Sequence, residues 1–318
     1  MKAFLTEKGI DEIAGCLQLA MLLEVSAYPK PGNVHRAADF EETRYEHFLA
    51  SAIGVGPDFR EAVGRGLLLG SERIQRNQVG IGALIRDAVV DVAKWQHGGN
   101  TSLGSIVLLM PIAVAAGSVS RKGMFTIDDL RTSIKTVTDN TASEDTLALY
   151  ESIEIAKPGG LGDAPLFDVN KPETKDIITS QNVTILDVFK VASTYDSVAS
   201  EWVNNYHITF DVGYPYFNEQ MGRFKDINVA TVHTFLKILS EVPDTLIARK
   251  VGEEKAKEVS LQANRVLRNG GLVNTEGKKM LGEFDSSLRT PNHKFNPGTT
   301  ADLVTAVLAV ALLMGMRP

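Results

Sequence analysis

Residues 10–25, Ile-Asp-Glu-Ile-Ala-Gly-Cys-Leu-Gln-Leu-Ala-Met-Leu-Leu-Glu-Val, decide the fold class. Ile10, Ile13, Ala14, Leu17, Met21 and Val25 recur at intervals of three and four, the spacing of one face of an α-helix. Pro29-Lys30-Pro31-Gly32 then stops the helix. The same period returns at 45–52, 57–74, 82–95, 103–116, 127–138 and 143–156, and again at 185–194, 197–206, 229–239, 245–251, 254–269, 276–288 and 301–314. Between the two sets, 157–182 reads as a loop, because Lys-Pro-Gly-Gly-Leu-Gly, Pro165 and Pro172 interrupt it. A single run, 205–212, alternates like a strand through Tyr206, Ile208, Phe210 and Val212. There is no fixed-period repeat, low-complexity tract or linker. The expectation is an all-α fold, one domain over 1–318 with roughly ten or more helices.

Composition narrows the function classes. A net charge of −6 without a long basic run argues against nucleic acid as a partner. The single cysteine, Cys16, excludes an internal disulfide and reads as core filler. Acidic residues precede any apolar stretch at the N-terminus, unlike a signal peptide. The longest apolar run is taken as 303–316, too short to span a bilayer. These features predict a cytoplasmic protein with no membrane partner; a homo-oligomer is left open.

Five segments carry residues suited to chemistry. Glu24 falls in the middle of the apolar stripe set by Leu17 and Met21, where a carboxylate must be paired or bind a metal. Lys30, Asn33 and His35 follow in a loop fixed by prolines and turned at Gly32. A buried Glu24 capping loop N–H groups, beside a solvated Lys30, is the structural alternative. In residues 95–104, Trp-Gln-His-Gly-Gly-Asn-Thr-Ser-Leu-Gly, two glycines let the backbone approach a ligand. Asn100 and Thr101 open an apolar helix whose free N–H groups favour phosphate. A plain loop and N-cap explain the same residues.

In 141–162 a helix opens on hydroxyl and acidic residues, with Asp145 as a cap or dipole partner, and stops at Gly159-Gly160. In 243–252 Asp244 is a natural N-cap, and Arg249 and Lys250 either favour the helix C-terminus or grip phosphate. Thr299-Thr300-Ala301-Asp302 has the layout of a capping box at the mouth of a helix apolar all round. Asp302 is there a cap or a ligand for Mg²⁺ on a triphosphate. His207 and His233 lack zinc-ligand spacing and read as structural or surface residues. Tyr206, Tyr214, Tyr216 and Phe217 read as packing.

In their order, these segments resemble the triphosphoribosyl-dephospho-coenzyme A synthase family. The matching pieces are Pro29-Lys30-Pro31-Gly32-Asn33-Val34, Gly99-Asn100-Thr101 with Gly104, the helix from Asp145 to Tyr150, Pro243-Asp244-Thr245-Leu246-Ile247-Ala248-Arg249-Lys250, and Pro297-Gly298-Thr299-Thr300-Ala301-Asp302-Leu303. The resemblance spans nearly the whole chain, and the family is all-helical. It implies that the 2′-hydroxyl of 3′-dephospho-coenzyme A attacks the ribose C1 of ATP, that adenine leaves, and that a 5-triphosphoribosyl group is transferred. The chain departs from the bacterial pattern in three places. His35-Arg36 and Asp39-Phe40-Glu41-Glu42 stand near where a Leu-Val-Asp and a Gly-Ala-His-x-Asp-Met segment are usual. Ser102-Leu103 replace a His-Lys pair. Gly160-Leu161-Gly162-Asp163-Ala164 replace an Arg-Gly-Glu-Ala element.

That reaction passes through an oxocarbenium-like centre, which needs a carboxylate, a base for the attacking hydroxyl and help for the leaving base. On this reading Glu24, or alternatively Asp145, is the base or cation stabiliser. Lys30, Arg249 and Lys250 hold phosphates. Asn100 and Thr101 bind phosphate or sugar, with Asn33, His35, Thr299 and Thr300 lining the substrate site. Asp145 and Asp302 organise Mg²⁺. Two rivals stand beside it: an adenine-nucleotide N-glycosidase, and a non-catalytic nucleotide- or coenzyme A-binding protein.

Overall fold

In a computed structural model, described for residues 7–318 apart from 122 and 163, the chain winds through α1 (Glu7–Ser26), α2 (Tyr45–Gly54), α3 (Gly56–Gly70), α4 (Ile81–Trp95), α5 (Leu103–Ser120), α6 (Ile127–Thr138), α7 (Ser143–Ala156) and α8 (Glu173–Gln181). It continues through α9 (Ile185–Ala192), α10 (Ser197–Val203), α11 (Tyr214–Phe224), α12 (Ile227–Glu241), α13 (Thr245–Val251), α14 (Glu253–Arg268), α15 (Thr275–Leu288) and α16 (Gly298–Leu313). Among the described residues the one β-type feature is an isolated bridge between His35 and Ala38. The all-α expectation therefore holds. The expected reading of the first residues as no signal peptide, and Asp163, lie outside the described residues.

The arrangement follows from two helices with no polar face. Nearly every residue of α5 from Ser105 to Ser120 is buried, and α16 is buried from Thr299 to Leu312 except Asp302. A helix apolar all round must be covered on every side. By length and composition α5 would also span a membrane, which corrects the expectation that 303–316 is the longest apolar run; 83% of it is buried inside the protein's own core. One continuous core joins α1, α3, α4, α5, α12 and α16, and a small satellite gathers Tyr150, Ile178 and Val183 under the 157–182 segment.

Close approach at α5 depends on missing side chains. A Cβ on Gly66 would lie 2.0 Å from Val114 O, and one on Gly117 would lie 2.2 Å from Val63 O. The backbones of α3 and α5 are thus in direct contact. Pro111 sits inside α5 and has no N–H for the carbonyl of Val107. The indole of the buried Trp202 donates to that carbonyl at 3.2 Å, and the Tyr206 hydroxyl donates to the next one, Leu108 O, at 2.9 Å. The orphaned acceptor is satisfied from α10, which fixes that helix against α5.

Three local expectations need correction. The 157–182 loop contains α8, which begins directly after Pro172; proline restricts a helix interior but not its first turn. The helix expected at 57–74 ends at Gly70. The alternating run 205–212 is a π-helical turn, Ile208–Gly213, leading into α11. The buried carboxylate of Glu201 accepts from Ile208 N (2.7 Å), Thr209 N (2.9 Å) and the Thr209 hydroxyl. Those N–H groups are taken by a side chain, and the turn widens. Tyr206, Ile208 and Phe210 all point into the core, so their alternation carries no strand.

Asp244 ties α13 to α16. Its Oδ1 accepts from Leu246 N (2.9 Å) and Ile247 N (3.0 Å), and its Oδ2 accepts from Thr300 N (2.7 Å) and the Thr300 hydroxyl (2.8 Å). One buried carboxylate caps two helix starts. Asp244→Ala should lower unfolding free energy by about 2–4 kcal/mol, the sum of two strong caps, in urea denaturation; a loss no larger than that of an exposed cap would show that the second helix does not depend on it.

Candidate active site

α1 delivers Glu24 to a cavity of about 550 Å³ that the starts of α5 and α16, the 96–102 loop, α13 and the 157–162 loop enclose. The carboxylate is 6% exposed and lines the cavity. Behind it Lys30 is fully buried, and its ammonium donates to Glu24 Oε1 and, at 3.1 Å, to Asn33 Oδ1. Burial pushes the Glu24 carboxyl up and the Lys30 ammonium down from their ordinary values, and each charge opposes the other's shift. Asn33 passes the network on: its amide donates to Asn296 Oδ1 at 2.8 Å. Gly32 makes the turn at φ +68, where a Cβ would meet Leu288 at 2.7 Å and Phe295 O at 2.9 Å.

Asp302 faces the same space from the first turn of α16. Ser105 donates to its Oδ1 at 2.6 Å, and its Oδ2 lies over Gly104, where a Cβ would approach to 2.1 Å. Position 104 has no side chain because the carboxylate occupies that space. Burial, reinforced by the neighbouring carboxylates of Glu24 and Asp244, pushes Asp302 up to about 7 against the Ser105 hydrogen bond. A wall that sets Glu24, paired with Lys30, beside a carboxyl that titrates near neutrality suits proton transfer.

Cations gather across the cavity. Arg249 pairs with Asp196 at 2.6 Å and donates to Gly160 O at 3.0 Å, which fastens the glycine loop to α10. Lys250 lines the cavity with no ion pair or hydrogen bond to any described residue, and burial pushes its ammonium down. Lys157 also lines it, at the left-handed C-terminus of α7. Phe40 and His293 stack at the rim with centroids 3.8 Å apart.

The structure brings Glu24, Asn33, Asn100, Thr101, Arg249, Lys250, Thr299 and Asp302 to this cavity. The Asn100 side chain accepts from Leu103 N at 3.1 Å, and the Thr101 hydroxyl bonds Ser51 at 2.7 Å. Four expected site residues are elsewhere. Lys30 reaches the site only through Glu24 and Asn33, and its buried ammonium is not presented to a phosphate. His35 is buried behind the wall, beside Arg289 (3.0 Å) and Asp285 (3.8 Å). Thr300 is held by Asp244. Asp145 accepts from Gly82 N and Ala142 N, both at 2.9 Å, and joins the starts of α4 and α7; capping, not the cavity, explains that carboxylate. Ser105, Lys157, Asp196 and Asn296 line the site without having been singled out for it. Ser105 and Asn296 bond to residues far along the chain, Asp302 and Asn33, so nothing local marks them; Asp196 reads locally only as the N-cap of α10, and Lys157 only as a helix end.

The donor set does not fit a protein-held Mg²⁺. Among the described residues no three His, Cys, Asp or Glu side chains converge as metal ligands. Glu24 is engaged by Lys30, one oxygen of Asp302 by Ser105, and Asp145 lies outside the cavity.

A helical protein whose cavity is lined by both carboxylates and cations offers binding groups for an anionic substrate beside groups that can move a proton. The chain belongs to the ATP:dephospho-CoA triphosphoribosyl transferase (CitG) family, whose model matches residues 10–317. It is a transferase of that family, and the reaction is triphosphoribosyl transfer from ATP to dephospho-CoA. A protein of Pseudomonas fluorescens Pf-5 named a probable 2-(5″-triphosphoribosyl)-3′-dephosphocoenzyme-A synthase is 25% identical over 293 residues, 91% of this chain and 87% of its own length. Its namesake in strain Pf0-1 is 24% identical over the same shares. The fold matches the crystal structure of an Archaeoglobus fulgidus protein provisionally named a triphosphoribosyl-dephospho-CoA synthase, with a TM-score of 0.61 and 22% identity over 85% of this chain and 100% of that one.

Lys30→Met would leave Glu24 buried without its counter-charge, at a cost of about 3–5 kcal/mol in chemical denaturation. Adding Glu24→Gln should recover part of that loss; a double variant as unstable as the sum of the singles would show that the two groups act independently.

Proposed function

We propose that Glu24 and Asp302 divide the chemistry of this transfer between them, with Asp302 as general base and Glu24 as the fixed anion beside the reacting ribose. The 2′-hydroxyl oxygen of dephospho-CoA forms a bond to C1′ of ATP while the C1′–N9 bond breaks, and its electron pair leaves with adenine. The hydroxyl proton goes to Asp302. The departing adenine takes up one proton, so the transfer is proton-neutral overall. Positive charge spreads over C1′ and the ring oxygen in the transition state, and the Glu24 carboxylate, paired with Lys30, stabilises it.

The observation that carries this reading is the Asp302 carboxyl, held by Ser105 over Gly104 on the cavity wall and titrating at about 7. A base is most effective when its pKa lies near the working pH. Lys250 is the cation best suited to the triphosphate, since Arg249 is neutralised by Asp196. Mg²⁺ enters as a counter-ion on the triphosphate and so as part of the substrate. Asn100, Thr101 and Thr299 supply polar contacts to sugar and phosphate. Cytoplasmic location is part of the same proposal, since both substrates are nucleotides.

The base must be ionised to act, so kcat/KM should fall with a single-proton slope as pH drops through about 7. Asp302→Asn should remove that limb and lower kcat by about 10²–10⁴-fold, with ATP affinity little changed. The assay is chromatography with mass detection after mixing protein, ATP, Mg²⁺ and 3′-dephospho-CoA. Adenine together with a triphosphoribosyl adduct supports the reading. Adenine alone makes the protein a glycosidase, and ATP binding without adenine release makes it a binding protein.

A further inference from the structure

A second cavity of about 350 Å³ opens between the end of α4, the start of α5 and the end of α7. Its apolar lining comes from Val89, Val92, Ala93, Ile106 and Ile155. Ile155 is 41% exposed there, an apolar side chain turned to the opening without a partner to cover it. Gly99, Asn100, Thr101, Ser102, Leu103 and Lys157 belong to the walls of both cavities. The 99–103 loop is therefore a shared partition, and Lys157 is the cation at the junction. Its ammonium makes no ion pair or hydrogen bond to any described residue.

The acceptor has a matching layout. Dephospho-CoA is an adenosine joined through a diphosphate to a long pantetheine arm, which alternates a gem-dimethyl carbon and methylenes with a hydroxyl and two amides. Its ribose must sit against the ribose of ATP, inside the main cavity with Glu24 and Asp302. A volume of about 550 Å³ is that of a pocket for one drug-sized ligand, so the acceptor has to extend beyond it. The arm must leave through an adjoining space, and the diphosphate must cross the boundary.

We infer that the second cavity is the subsite for the pantetheine arm of dephospho-CoA, and that Lys157 holds the diphosphate where the two cavities meet. This rests on the acceptor proposed above. The N-terminus of α5 starts at the same boundary, and its partial positive charge favours the same anion. Val89, Val92 and Ile106 take the gem-dimethyl carbon and methylenes of the arm out of water, and His97 and the 99–100 backbone lie within the same walls for its amides.

The test uses calorimetry and steady-state kinetics on the full chain. Ala93→Trp fills the subsite from an exposed helix position, and Ile155→Asp charges its opening without adding bulk. Both should raise KM for dephospho-CoA at least roughly tenfold, with KM for ATP within about twofold. Lys157→Met should do the same. 4′-Phosphopantetheine, the arm with one phosphate and no adenosine, should bind the wild type and fail to bind all three variants. Variants that bind dephospho-CoA and 4′-phosphopantetheine like the wild type overturn the subsite while the acceptor stands. A wild-type protein that binds ATP but not dephospho-CoA overturns the acceptor, and the subsite with it.

Discussion

The buried pair of Glu24 and Lys30 is the constraint on which the site depends. A carboxylate in the apolar stripe of α1 has no water to stabilise it, and a lysine with no exposure has none either. Each is tolerable only because the other is there. Lys30 also reaches Asn33, Asn33 reaches Asn296, and Gly32 N donates to Asp285 at 2.8 Å. The chain after α1 is thereby fastened to α15 and to the approach of α16. Asp302 at the start of α16 then stands where Glu24 can raise its pKa. Asp302 itself is held in place by Ser105.

The core follows a related logic of replacement. Pro111 removes a donor from the most buried helix, and Trp202 returns it from outside. Gly66 and Gly117 give up side chains so that two backbones touch. Glu201 takes the N–H groups of Ile208 and Thr209, and a π turn forms where a regular helix would continue. In each case a polar backbone group deep in the protein is matched by one specific residue distant in sequence, consistent with the high cost of leaving such groups unpaired.

This explains which features were legible in the sequence. Periodic apolar spacing reports what a helix does with its own face, so α1, α4, α6 and α7 could be read directly. Asp244 was readable as a cap because its first two partners, Leu246 and Ile247, are adjacent; its hold on Thr300, 56 residues away, was not. Glu24 was legible as an inward carboxylate, but its partner Lys30 read equally well as a solvated or phosphate-binding residue, because burial is a property of the fold. Asp145 looked chemical for the converse reason: a carboxylate joining two helix starts has the same local signature as a ligand. α8 and α11 were hidden by Pro172 and by the widened turn before Tyr214, where the local period breaks although the chain stays helical.

The separation of charge within the cavity bears on why this reaction keeps its triphosphate. Cations that gather charge on a leaving phosphate accelerate its departure; here the leaving group is a base, and the phosphates must remain attached. Lys250 lines the same cavity as Glu24 and Asp302, and Arg249 is paired with Asp196. The cationic side can therefore anchor the triphosphate without concentrating charge at a bridging oxygen. In the proposed mechanism the carboxylates act at the anomeric carbon, where positive charge develops and where a cation would be repelled. On that proposal, anchoring at one end and reaction at the other directs bond breaking to C1′–N9, and Glu24 depends on Lys30 as its counter-charge in a dry site.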